Sequence, residues 1–236
     1  MKKSTLFALI VIFLLIPATL FLGTRMTGRA YYLTSTLIII ETMLPFFFAF
    51  ETRKPQAREL VTIAVMCALA GASRVVVQIP AFKPTLGVIM ITGIALGMEA
   101  GFLTGAVSAF ASNFFFGQGP WTPWQMMAYG IAGFLAGLLF HKKRPFADKP
   151  RLSALVLAVY GFFSIVALVG PLLDTSSVFT MSSSISWRFA AMVYSAGFIP
   201  NVIHGAGTAV TMLLLSGPLL KKLDRLIRKY GMMEDA

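Results

Sequence analysis

Long apolar runs separated by short polar breaks dominate the chain. Read at helical period, they predict eight membrane-spanning helices, over residues 4–23, 31–50, 59–80, 85–98, 101–116, 124–140, 152–173 and 187–217. Most runs approach the roughly 20 residues that cross a hydrocarbon core. Within lipid a helix satisfies its own backbone, which an isolated strand does not. The sharpest break is Gly117-Gln118-Gly119-Pro120-Trp121-Thr122-Pro123-Trp124-Gln125. Its glycines and prolines interrupt the helical ladder, and two indoles stand where the backbone has left it. The bland reading of those indoles is an interfacial aromatic belt. The last span is too long for one straight crossing, so either Pro200 kinks it or its start lies in the outer headgroups. Beyond it, Leu219–Tyr230 alternates Leu and Ile with Lys and Arg, which predicts a cytoplasmic helical continuation near the membrane surface.

Charge fixes one ambiguous break. Residues 85–116 read either as one tilted helix or as two helices meeting in a tight turn at Glu99. With the turn, 15 of the 20 Lys and Arg lie on the cytoplasmic side: Lys2, Lys3, Arg53, Lys54, Arg58, the group from Lys142 to Arg151, and the group from Lys221 to Lys229. The outside then receives Arg25, Arg29, Arg74, Lys83 and Arg188. Without the turn, Lys142–Arg151 lands outside, against the positive-inside bias. Two helices are therefore predicted, with both termini cytoplasmic in a multi-pass protein of the cell membrane.

Composition agrees with this pattern. The 236 residues are 57% hydrophobic and 12% charged, whereas a soluble domain carries about 25% charged residues. An all-α polytopic membrane protein follows. Met-Lys-Lys ahead of Leu6–Leu22 begins like a signal peptide. The apolar stretch is long for one, however, and no small-x-small cleavage pattern follows, so a retained helix is expected. The net charge of +11 sits where it orients the chain and meets anionic lipid, which argues against a nucleic-acid partner. The single cysteine, Cys67, permits no disulfide within the chain.

Small residues recur at every fourth position. Ala64, Ala68 and Ala72 form one such stripe, Gly93, Gly97, Gly101 and Gly105 another, and Gly133 and Gly137 a shorter one. Such stripes let helices approach closely in lipid. Each serves either internal packing or a partner membrane protein.

Polar residues gather towards one side. Under the eight-span topology the outer side collects Arg74, Gln78, Lys83, Asn113, Gln118, Trp121, Trp124, Gln125, Tyr129, Asp174, Trp187, Arg188 and Tyr194, from connections at 81–84, 117–123 and 174–186. Intramembrane polar groups are expensive and usually functional, so their convergence predicts a binding cup open to the outside. Deeper lie Glu41, Asn201 and His204; the last two follow Pro200 and also suit a broken helix. Catalytic signatures are absent. The chain has no HExxH, no GxSxG, no Cys/His ligand cluster and no GxxxxGK[ST] phosphate loop. No catalytic or metal-binding residue and no cofactor is expected.

Three strings carry a family resemblance. They are the Ala64, Ala68 and Ala72 stripe, Ala81-Phe82-Lys83-Pro84, and the most specific, the run from Asn113 through Gly117-Gln118-Gly119-Pro120-Trp121-Thr122-Pro123-Trp124 to Met126. From about Arg58 to Lys222 the chain resembles the substrate-binding S-component of energy-coupling factor (ECF) transporters. The resemblance implies a six-helix unit over 58–222 that binds a vitamin from outside. It also implies that the alanine stripe packs on a membrane scaffold, the T-component, on which the unit topples while two cytoplasmic ATPases drive the cycle. Residues 1–57 would then be an added pair of transmembrane helices, a departure from the six-helix plan, and 223–236 a basic cytoplasmic tail. The Phe-Lys-Pro and Gly-Pro-Trp-Thr-Pro-Trp strings look most like members handling cobalamin or its precursors. Riboflavin, or a pyridoxine- or queuosine-like compound, remains an alternative. A membrane-embedded enzyme using Glu99 or His204 is the alternative of another class.

Overall fold

A computed structural model describes residues 7, 10–16, 18–19, 30–52, 55–145, 148–181 and 186–232. Lys2, Lys3, Arg25, Arg29, Arg53 and Lys54, all used above, lie outside the described residues, as do residues 182–185 of the connection expected over 174–186 and half of the span expected over 4–23. Among the described residues every regular element is helical. After a single π-helical turn at Val11–Leu15 come α1 (Ala30–Thr52), α2 (Ala57–Val76), α3 (Thr85–Leu96), α4 (Met98–Phe116), α5 (Thr122–Phe140), α6 (Pro150–Ser164), α7 (Gly170–Met181) and α8 (Trp187–Tyr230). A π turn over Ile165–Val169 joins α6 to α7, so that Pro150–Met181 runs as one rod of 32 residues. That rod, α2, α5 and α8 are each long and apolar enough to cross a membrane. The protein is an all-α polytopic membrane protein.

Four expected boundaries moved. The break assigned to Glu99 lies at Gly97, whose φ of 91° is open to glycine and strained for other residues. Glu99 instead occupies the first turn of α4, where the helix dipole favours a carboxylate. The span expected over 85–98 is a helix of 12 residues, all of them buried. At about 18 Å it is too short to cross the core alone, and it serves as the bundle's central strut against α2, α4, α5 and α8. The outer connection expected over 174–186 is helical as far as Met181. Finally, α8 is continuous over 44 residues with Pro200 and Pro218 inside it. At about 66 Å it exceeds the hydrocarbon thickness, and Leu219–Tyr230 continues it directly, as the alternation of apolar and basic residues predicts.

The glycine stripes turn out to be internal. A Cβ added to Gly93 or Gly101 would collide with the Gly133 carbonyl oxygen, and one added to Gly105 with that of Tyr129. Helices α3, α4 and α5 therefore meet backbone to backbone, the close approach that small residues permit in lipid. The alanine stripe differs. Ala64, Ala68 and Ala72 are all exposed, beside Val61, Val65 and Leu69 on the same face of α2. Helix α1 joins the bundle through aromatic packing: Phe46 stacks on Phe102 at 4.1 Å and meets Phe134 edge-on at 5.0 Å. Glu41, unexplained from sequence, accepts a hydrogen bond on Oε1 from the Thr19 hydroxyl.

The bundle has two chemically distinct ends. Arg58 lies over the Tyr230 ring at 5.1 Å, Gln56 donates to the Gly231 carbonyl, and Arg144 forms an ion pair with Asp224. The start of α2, the α5–α6 connection and the end of α8 therefore share one strongly basic end. The opposite end holds the last turn of α2, the end of α4 and the start of α5.

Candidate functional site

The site is built around Arg74, in the last turn of α2. Its Nη1 donates to Ser112 Oγ at 2.7 Å and to Asn113 Oδ1 at 2.8 Å. The guanidinium also lies over two rings, 4.9 Å from the centre of Phe116 and 5.8 Å from that of Tyr129. A cation at this depth needs such partners, because its desolvation is costly. Asn113 relays the network: its Nδ2 donates to Gln125 Oε1 at 2.8 Å and to Thr122 Oγ1 at 3.2 Å. Thr122 in turn donates to Gln118 Oε1 at 2.9 Å, and Gln118 Nε2 donates to the Phe110 carbonyl at 3.0 Å.

The Gly-Pro-Trp break makes this network possible. Gly117 adopts a φ of 98° and ends α4, and a turn at Gly119–Thr122 starts α5. The Gly119 amide also donates to the Thr122 hydroxyl. The reversal sets Gln118, Thr122 and Gln125 against the last turn of α4. Trp121 caps α5 and is 42% exposed, whereas Trp124 is 7% exposed and stacks on Phe179 of α7 at 5.7 Å. The Trp124 Nε1 donor is buried with no hydrogen-bond partner. An unmade bond of this kind costs about 1–3 kcal/mol, and marks where a ligand acceptor would be rewarded.

Lys83 flanks the network. Its Nζ donates to the Val77 carbonyl and lies 5.9 Å from the Phe116 ring, so that ring sits between two cations. Behind it is α8, where a Cβ on Gly207 would touch the Lys83 amide at 3.0 Å. One turn earlier His204 lies within electrostatic reach of both Arg74 and Lys83, and its Nε2 is buried without a partner. Asn201, on the same face, donates to Asp174 Oδ2 at 2.8 Å across α7.

Not all the expected cup residues converge. Arg74, Lys83, Asn113, Gln118, Gln125 and Tyr129 form one connected cluster, with Trp124 beside it. Asp174 belongs to a neighbouring pair with Asn201. Gln78 is exposed past the end of α2. Trp187 is 92% exposed and Arg188 is also exposed, in the first turn of α8. Tyr194 bonds Thr175 at 2.7 Å, away from Arg74. Four contributors went unnoticed in the sequence: Ser112, Phe116, Thr122 and Phe179. Helical spacing offered a signal for Phe116, which lies three residues after Asn113 and on its face. Glu99 and His204 sit at opposite ends: Met98, beside Glu99, packs on Gly137, whereas Gly207, one turn after His204, packs on Lys83. They form no catalytic pair.

The geometry defines a helical membrane protein with a cationic, aromatic and amide-lined cluster at one end. Residues 54–223 match the family model described as the ECF-type riboflavin transporter S component, and the chain belongs to that family. It is a substrate-binding subunit of an ECF transporter and not an enzyme. A UPF0397 protein of Vibrio atlanticus (strain LGP32) is 28% identical over 177 residues, covering 72% of this chain and 92% of the relative. A UPF0397 protein of Aliivibrio salmonicida (strain LFI1238) is 30% identical over 118 residues, covering 48% of this chain and 61% of the relative. No solved structure matches the chain.

Proposed function

We propose that the protein captures a vitamin, cobalamin or one of its precursors, from outside the cell at the Arg74 cluster. Toppling on a T-component, driven by two cytoplasmic ATPases, then delivers it inward. The observation that carries this reading is the buried Trp124 indole with its unpartnered Nε1, beside the Arg74–Asn113–Gln125 network. A ring face, a free donor and two cations suit a flat heteroaromatic ligand bearing acceptor or anionic groups. Trp121, at the start of α5, would form the rim of this site, whereas Gln78, Asp174, Trp187 and Arg188 stand apart from the Arg74 cluster and would meet a ligand only at its periphery. The preference for cobalamin or a precursor rests on the resemblance of Phe82-Lys83-Pro84 and the Gly-Pro-Trp-Thr-Pro-Trp string to members of that kind. Riboflavin is the second reading, favoured by the description of the matching family. Native mass spectrometry of the gently purified protein tests this: a retained corrinoid, benzimidazole or flavin supports a vitamin site, and retention of none from producing cells argues against it.

Docking belongs to the same reading. The exposed Ala64, Ala68 and Ala72 face supports a contact with the T-component, since the glycine stripes are already used internally. Ala68→Trp should abolish assembly with the scaffold while leaving ligand affinity unchanged. Lost ligand binding with assembly intact would contradict the assignment.

The two-ended charge distribution supports an orientation with both termini cytoplasmic and residues 1–57 as an added helical pair before the 58–222 unit. Single cysteines introduced at 142–151 on a Cys67→Ala background should resist impermeant labelling from outside intact cells. Labelling there would reverse the orientation, and with it the side from which the ligand enters.

A further inference from the structure

At the basic end, away from the vitamin site, a cavity of about 800 Å³ opens between the α5–α6 connection, the first turn of α6 and the last third of α8. Its walls have two characters. Pro150, Ala154 and Leu220 are apolar, whereas Arg144, Lys221, Arg225, Arg228 and Lys229 bring five cations. Among the described residues of the lining Asp224 is the one acid, and Arg144 holds it through Nη1 and Nη2, with Nη2 at 2.6 Å from Oδ1. Four cations are left facing the cavity, and among the described residues its lining holds no other carboxylate. The start of α6 opens onto the same space, with Pro150 at its beginning, no side-chain cap and no acidic residue in its first turn. A helix start of this kind favours an anion.

We infer that this cavity is a binding site for one anionic phospholipid, with the headgroup phosphate held between Lys221, Arg225 and Arg228 and an acyl chain lying along Ala154 and Leu220. Charge complementarity selects the anion. The combination of cations with an apolar wall, at the level where transmembrane helices leave the bilayer, selects a lipid over a soluble anion. Basic pockets between helices at a membrane's basic face recognise phosphate headgroups in this manner. A lipid seated here would touch both α6 and α8, beside the Arg144–Asp224 pair. The inference does not depend on which vitamin the opposite end binds.

The test uses the full chain in nanodiscs of phosphatidylcholine with a minor fraction of phosphatidylglycerol, with retained lipid counted by native mass spectrometry after extraction. Wild-type protein should retain phosphatidylglycerol selectively, saturating at one molecule per chain. Arg225→Gln combined with Arg228→Gln should reduce that selectivity by about fivefold per cation removed. Ala154→Trp keeps every charge but fills the apolar wall, and it should also lose the retained lipid. Vitamin binding serves as the control for folding, because its residues lie at the other end. The inference is overturned if the double variant retains phosphatidylglycerol as the wild type does. It is equally overturned if Ala154→Trp still holds the lipid, or if millimolar inorganic phosphate displaces it, since either result would mean a soluble-anion site or general surface attraction.

Discussion

Arg74→Leu is expected to weaken vitamin binding by about 10–100-fold, the scale of one or two charge-assisted hydrogen bonds. The loss would come through two routes. The cation disappears from the site, and Asn113 loses the donor that holds its amide towards Gln125 and Thr122. The conservative Arg74→Lys restores the charge but not the flat guanidinium that lies over Phe116 and Tyr129 while its Nη1 donates to Ser112 and Asn113, so it should recover only part of the affinity. Titration calorimetry with the co-purified vitamin measures both. Unchanged affinity in Arg74→Leu would move the site away from this cluster. Trp124→Ala should lower affinity by a comparable factor, but its effect is harder to separate from stability because the indole is also packed on Phe179.

Gly133→Ala is expected to have the largest effect on the fold. The added methyl would lie 2.6 Å from the Gly101 carbonyl carbon, closer still to its oxygen, and 2.9 Å from Ile89. Overpacking of this kind costs about 1–3 kcal/mol and more where the obstacle cannot rotate away; here it is backbone. Thermal unfolding in detergent should shift down sharply, with lower yield. Gly217→Ala is the matched control, since nothing lies within 4 Å of its added Cβ, and there a helical glycine gives way to a better helix former. Equal melting of the two variants would mean that α3, α4 and α5 do not meet at Gly93, Gly101 and Gly133.

These two sites differ in how far they could be read in advance. The helices themselves were legible because apolar runs of spanning length have few alternative structures in lipid. The α7 extension was missed for a specific reason. Asp174-Thr175-Ser176-Ser177 reads as a solvated loop, yet Thr175, Ser177 and Thr180 each return a hydrogen bond to the carbonyl four residues back, at 2.7, 3.2 and 2.8 Å. Hydroxyls satisfied in this way let a polar segment stay helical. Gly97 was passed over for Glu99 because charge bias fixes the parity of crossings, not the residue at which the chain turns. Within the cluster, Arg74, Asn113 and Gln125 stood out as polar groups in apolar surroundings. Phe116 and Thr122 did not, being ordinary residues whose role depends on the α4–α5 reversal bringing them beneath a cation from α2.

The central claim is that this chain alone binds a vitamin from the outer side and needs other chains to move it. Binding of the co-purified vitamin to right-side-out vesicles carrying only this protein, without ATP, measures that most directly. Saturable binding at one ligand per chain, with the ligand recovered unchanged and none accumulated in the lumen, is the expected result. Chemical conversion of the ligand, or binding seen only in inside-out vesicles, would contradict the account.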